Sequence, residues 1–152
     1  MPPRKIIIDT DPGQDDAVAI LLSLASPKEL EVLGFSAVAG NVPLALTERN
    51  ARIVCELAGR LDMRVFAGCD RPLRHSLVTA EHVHGKTGLD GPDLPEPTMP
   101  LAPGHAVDFI IDTLRTEPAG TVTLCPLGPL TNIATAFEKA PDIASRVQEI
   151  VL

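Results

Sequence analysis

The chain predicts an α/β fold, a Rossmann-like, mostly parallel sheet with helices on both faces. Three observations carry that expectation. Short apolar runs alternate with segments of helical period along most of the 152 residues. The first run, Ile6-Ile7-Ile8, ends in Asp9-Thr10-Asp11, turns at Pro12-Gly13 and restarts as a helix with Asp15 and Asp16 in its opening turn. Open α/β sheets bind their ligands at the carboxyl ends of strands, where this acidic turn falls. The interior must also be largely aliphatic: 45% of residues are hydrophobic, yet the aromatic residues are four Phe with no Trp or Tyr.

Each element follows in order. Residues 5–8 read as a short, fully buried strand. Residues 14–25 read as a helix, because Ala17, Ile20, Leu21 and Leu24 recur on one face. Residues 31–39 form a second strand that ends at Gly40-Asn41. Residues 44–58 form a helix with Ala51, Val54, Cys55 and Ala58 inward and Glu48, Arg49 and Arg52 outward. Residues 64–67 are a short third strand.

Residues 68–103 break the pattern with Pro72, Pro92, Pro95, Pro97, Pro100, Gly85, Gly88 and Gly91. A loop that long is functional or disordered, and this one holds His75, His82 and His84. A helix at 105–115, a strand at 121–125 and a helix near 129–138 follow. The apolar run Val147–Leu152 reads as a last strand. The order implies parallel strands joined by right-handed crossovers. A parallel strand is normally buried on both faces. A chain stopping on one is expected to be the amino-terminal portion of a single longer domain, or to cover that edge by assembly.

Charge narrows the partners. The net charge is −7 and the isoelectric point about 5.0, with 13 basic residues that form no patch in sequence. Nucleic acid and an anionic membrane surface are therefore poor partners. No apolar run approaches a membrane span. Arg4-Lys5 leads into only three isoleucines, unlike a secretory leader. Cys55, Cys69 and Cys125 are odd in number and form no CxxC pair, which fits a reducing cytoplasm.

The acidic turn carries the chemistry. Asp9 and Asp11 lie two apart on an extended segment and share a face. Asp15 and Asp16 lie in the first helical turn, where the helix dipole favours negative charge. Helix capping accounts for that second pair and leaves Asp9 and Asp11 unexplained. Buried like charges repel unless a cation or protons compensate, and a hard divalent metal with oxygen ligands is the simplest compensation.

Two resemblances bear on the reaction. Asp9-Thr10-Asp11 is weakly similar to the Asp-x-Asp motif of haloacid-dehalogenase-type phosphohydrolases, in which Asp9 would be a nucleophile and the ion magnesium. The Pro12-Gly13 turn followed by Asp15-Asp16 departs from that motif. Asp9 through Ala17 more closely resembles the signature of the calcium-dependent nucleoside hydrolases, the inosine-uridine-preferring N-ribohydrolase family. Three further segments are similar in the same order: Val38–Val42 with Arg49-Asn50-Ala51, His82-Val83-His84-Gly85 with its following glycine loop, and Leu124–Ala134.

That resemblance implies hydrolysis of the N-glycosidic bond of ribonucleosides to free base and ribose. It implies that Asp11, Asp16 and the main-chain carbonyl of Leu127 bind Ca2+. Asp11 would also take a proton from the calcium-bound water. Asp15 and Asn41 would hold the ribose hydroxyls, Asp9 would support the site from behind, and His84 would line the nucleobase side. His82 and His75 have weaker claims, His105 reads as structural, and Asn132 is assigned no chemistry. Gly88-Leu89-Asp90-Gly91-Pro92 is closer to pyrimidine-preferring members. A homo-oligomer, dimer or tetramer, is implied as well. A catalytically inactive truncated interaction module, using an exposed edge near 147–152, is the non-enzymatic alternative.

Calcium takes about six to eight oxygens, and these residues supply only part of that number. The 152-residue chain is therefore expected to bind calcium weakly and to turn over little by itself. Calorimetric titration measures this, and tight calcium binding would refute it.

Overall fold

An all-isoleucine run can sit in the middle of a sheet only if apolar layers cover both its faces. The computed structural model, which describes residues 1–152, supplies them. The chain runs through β1 (Arg4–Thr10), α1 (Gln14–Leu24), β2 (Leu30–Ala37), α2 (Leu44–Leu57), β3 (Val65–Ala67), the short helix α3 (Glu81–His84), α4 (Ala106–Thr116), β4 (Val122–Pro126), α5 (Thr131–Lys139), a 3-10 segment (Pro141–Arg146) and β5 (Val147–Ile150). All strands are parallel, in the order β3-β2-β1-β4-β5.

The period-two alternation of β1 divides the core. Ile6 and Ile8 pack with Ile20 and Leu24 of α1 and with Ala51, Val54 and Cys55 of α2. Ile7 points the other way, onto Val107, Ile110 and Leu114 of α4 and Ile133 and Ala136 of α5. The register between β1 and β2 shifts after Ile6, so Leu33 is an extra residue in β2. Gly34 follows it, and a Cβ there would come within 2.7 Å of the Phe109 ring. That ring stacks on Phe66, with centroids 4.2 Å apart and planes 10° apart.

The strand order places the site. From β1 the chain moves outward through β2 to β3, then returns to the opposite side of β1 to lay down β4 and β5. The order reverses between β1 and β4, and the loops leaving their carboxyl ends part there to open a crevice.

Several expectations are corrected in detail. β1 runs to Thr10, so Asp9 lies within a strand that is hydrogen-bonded on both sides. β2 ends at Ala37, leaving Val38, Ala39 and Gly40 to cross the top of the sheet. Leu21 is 38% exposed instead of facing the core. Within the long loop, Glu81–His84 forms the single turn of α3, and the 3-10 segment was not read from sequence. β5 pairs with β4, yet Gln148, Glu149 and Ile150 are exposed, so it is not the doubly buried strand expected. No helix is long and apolar enough to cross a membrane.

Ile7 is fully buried at the centre of the larger apolar layer. Ile7→Ala should destabilise the chain by about 2–5 kcal/mol, read from urea unfolding with an unchanged m-value.

Candidate active site

Asp9 is 0% exposed, because β2 and β4 flank it at Ser36 and Pro126. A buried carboxylate needs donors. Its Oδ1 accepts from the Ser36 hydroxyl and, at 2.8 Å, from Asn132 Nδ2. Its Oδ2 has no hydrogen-bond partner. Burial pushes this carboxyl up to about 6, against the pull of those two donors.

Asn132 does more than serve Asp9. From the first turn of α5 its Nδ2 also donates to the Ala37 carbonyl at 3.0 Å, and its Oδ1 accepts from the Cys69 amide at 2.8 Å. One buried amide thus ties the carboxyl end of β1 to the end of β2 and to the segment after β3. Gly68 makes room for it, since a Cβ there would overlap the Asn132 amide.

Asp11 is the first residue beyond β1 and is 4% exposed. Its carboxylate is wedged between two loops at Gly40 and Gly128, where any Cβ would overlap it. Asn41 fastens it twice: the Asn41 amide donates to Asp11 Oδ2 at 2.8 Å, and Asn41 Nδ2 donates to the Asp11 carbonyl at 2.9 Å. Burial pushes the Asp11 carboxyl up to about 7, opposed by the Asn41 amide and reinforced by the charges of Asp16 and Asp9.

Asp16 sits in the first turn of α1 and is 5% exposed. Thr10 donates to its Oδ1 at 2.7 Å, and the Gly13 amide lies 3.5 Å from its Oδ2. Burial raises this carboxyl too, against the Thr10 hydrogen bond, with Asp15 adding to the rise. Capping of α1 therefore explains part of Asp16 but not its burial beside Asp11.

A cleft of about 480 Å³ opens at these groups, lined among others by Asp11, Asp15, Asp16, Asn41, His82 and Leu127. The Leu127 amide donates to the Asp9 carbonyl at 2.7 Å, which holds the loop after β4 against β1. Asp15 is exposed on α1 at the rim. The structure thus gathers Asp11, Asp15, Asp16, Asn41 and Leu127, while Asp9 supports them from beneath. His84 does not line the cleft: its ring lies over Gly13, with Nδ1 2.6 Å from Gln14 Oε1. His82, two residues earlier, is the imidazole on the cleft wall.

The donor set suits a hard cation. None of the chain's ion pairs includes Asp9, Asp11 or Asp16, so no Lys or Arg neutralises them. Apart from the His82 imidazole on the wall, the available donors are oxygens. The four carboxylates do not all converge, however: Asp15 is exposed and one oxygen of Asp9 is committed to Ser36 and Asn132. No three His, Cys, Asp or Glu side chains form an ion cage by themselves. Sequence reasoning passed over Asn132, Thr10 and Ser36. The signal for Asn132 was an amide at the start of an otherwise apolar helix face, where Asn needs a specific partner to be tolerated.

A family model described as inosine-uridine preferring nucleoside hydrolase matches residues 6–152. The chain is 56% identical over 148 residues to an uncharacterized protein of Schizosaccharomyces pombe, covering 97% of this chain and 47% of that one. It is 46% identical over 151 residues to the inosine-uridine preferring nucleoside hydrolase of Crithidia fasciculata, covering 99% and 48%. A solved purine-preferring ribonucleoside hydrolase from Gardnerella vaginalis superposes with a TM-score of 0.91 at 33% identity, over 98% of this chain and 48% of that one. The chain spans about half the length of the relatives it matches.

The raised carboxyls make stability depend on pH. Asp9 and Asp11 titrate near 6 and 7 when folded, against 3.8 for an unperturbed Asp. The native chain holds these protons more tightly than the unfolded chain, so its stability is greatest below the unfolded value and declines as pH rises through the folded ones. In chelator, the Tm should fall between about pH 4 and pH 7 and level off above, and Asp11→Asn should flatten much of that slope. Thermal melts across that range measure it; a flat wild-type profile would mean that the carboxylates are already compensated.

Proposed function

The chain belongs to the inosine-uridine preferring nucleoside hydrolase family, and on that premise we propose that it acts in hydrolysing the N-glycosidic bond of ribonucleosides to free base and ribose. One observation carries the reading: two buried carboxylates, Asp11 and Asp16, face one cleft at the switch point of the sheet without any cationic side chain. The phosphohydrolase alternative needs Asp9 as nucleophile. A nucleophile has to reach its substrate, whereas Asp9 is buried beneath the cleft with one oxygen fully engaged.

In this reading Asp11, Asp16 and the Leu127 carbonyl would hold a calcium ion. When bound, that ion would neutralise the carboxylates, orient the ribose diol and acidify a water. Asp11 accepts the proton of the attacking water, whose oxygen forms the new bond to the anomeric carbon. The bond from that carbon to the base nitrogen breaks, its electron pair leaves with the base, and the base nitrogen takes up a proton. The carboxylate-rich cleft favours the positive charge that develops on the sugar as the bond lengthens. Asp15 and Asn41, at the rim, hold the ribose hydroxyls. Asn41 is already committed to Asp11 through its amide and side chain, so it links substrate contact to the base.

The base wall falls to the loop of α3. The resemblance implies His84 there; His82 lines the cleft, and His84 is bonded to Gln14. One relative's name specifies inosine and uridine and a solved neighbour's specifies purines. Overall similarity therefore does not sort the nucleobase, and the pyrimidine preference read from Gly88–Pro92 stands as part of the proposal. Three free cysteines support a reducing, cytoplasmic setting. Homo-oligomer formation would have apolar surface to use, since Val18 and Leu22 are exposed on α1.

Ribose release from a panel of purine and pyrimidine nucleosides, with calcium and with chelator, tests the reading. Calcium-dependent release is expected, slow from these 152 residues alone and faster with uridine or cytidine than with inosine. Asp11→Asn should lower kcat by about 10²–10⁴-fold while the variant remains folded. Calcium-independent release, or full activity in Asp11→Asn, would sink the mechanism.

A further inference from the structure

The loop bearing His82 and His84 is fastened to the acidic turn by two amides that the proposed chemistry does not use. Asn50, on α2, is fully buried. Its Nδ2 donates to the Pro12 carbonyl at 3.2 Å and to the Thr87 carbonyl at 2.7 Å, so one NH2 group joins the turn after β1 to the loop after α3. Gln14, the first residue of α1, makes the second fastening. Its Nε2 donates to the carbonyls of His84 at 3.2 Å and Asp90 at 3.3 Å, while its Oε1 meets the His84 ring.

The loop is shaped to this seat. Gly88 has φ of +85°, a conformation that favours glycine, and a Cβ there would lie 2.9 Å from Asn50 Nδ2 and 3.1 Å from the Pro12 carbonyl. The Asp90 carboxylate accepts the Lys86 and Thr87 amides at 3.0 Å each, which closes the loop on itself. Leu89 is buried in the apolar layer of α1 and α2. His82 lies two residues before His84 on α3, so whatever holds His84 also sets where the His82 wall stands relative to Asp11 and Asp16.

We propose that Asn50 and Gln14 are positioning residues that hold the α3 loop, and with it the His82 wall of the cleft, in register with the Asp11–Asp16 turn. The proposal rests on the nucleoside reading of the cleft. A ribonucleoside is rigid and two-ended: its sugar belongs at the carboxylates and its base must reach a wall a fixed distance away. Holding turn and wall as one unit lowers the ordering cost that the substrate would otherwise bear on binding. Asn50 serves both parts with one group, so loosening either contact shifts the wall without touching the carboxylates.

Hydrogen exchange and steady-state kinetics on the full chain test this. Gln14→Ala changes an exposed helix position, and Asn50→Asp keeps the size while replacing the donor with an oxygen. Exchange at amides 81–90 should quicken about tenfold in both variants, as for the loss of one or two hydrogen bonds. The amides of β1 and β4 should exchange at wild-type rates. Wild-type exchange at 81–90 in Gln14→Ala overturns the proposal, even if Asn50→Asp fails to fold. With a nucleoside that the chain cleaves, Gln14→Ala should raise KM about tenfold and leave kcat nearly unchanged. An unchanged KM together with a faster loop makes the two amides merely structural and also overturns it. If the wild-type chain releases no ribose from any nucleoside, no KM can be read from it, and the exchange rates alone decide whether the amides hold the loop.

Discussion

Much of this structure turns on keeping carboxylates dry at the end of a central strand. β1 is buried because Ile6, Ile7 and Ile8 require it, and the strand carries Asp9 and then Asp11 directly out of that core. Charged oxygens in such a place are costly without compensation. The chain offers no Lys or Arg to them. It surrounds them instead with neutral donors, from Ser36, Asn132, Asn41 and Thr10. The remaining deficit appears as raised carboxyl protonation and an unpartnered oxygen on Asp9. That residual demand for positive charge is what the proposed function draws on.

The neighbouring elements conform to this demand. Gly40 and Gly128 are small because the Asp11 carboxylate fills the space their side chains would take. Asn132 stands in an apolar helix face because three segments present polar groups to it at one point. Each feature is a local oddity taken alone, a glycine outside a tight turn or an amide among aliphatic side chains. Together they form one fitted shell, in which the supporting residues are held as firmly as the acids they support.

Much of the candidate site could be read in the sequence because its residues come in short, ordered runs at strand ends. Asp9 through Asp16, Gly40-Asn41 and Leu127-Gly128 each lie just beyond an apolar run, so alternation of strands and helices already put them on one edge of the sheet. Long-range partners were not legible. Asn132 is 123 residues from Asp9, and no spacing rule links an amide in one helix to a carboxylate in a strand that precedes it by most of the chain. The histidines show the same limit at shorter range. The resemblance favours His84 over His82 for the nucleobase side, yet His82 lines the cleft and His84 clasps Gln14. Two residues of helix turn them to different sides.

The sequence by itself determined the fold class, the parallel pairing and the identity of the acidic turn. These depend on local periodicity and on residues adjacent in the chain, which burial alone sorts into strand, turn and helix. Tertiary structure decided which carboxylate is buried and which is exposed, where β2 lets go of the sheet, that β5 remains half open to solvent, and which imidazole faces the cleft. Those outcomes depend on what packs against each side chain from distant segments. Desolvation and hydrogen bonding are properties of the assembled neighbourhood, not of the residue or its sequence neighbours.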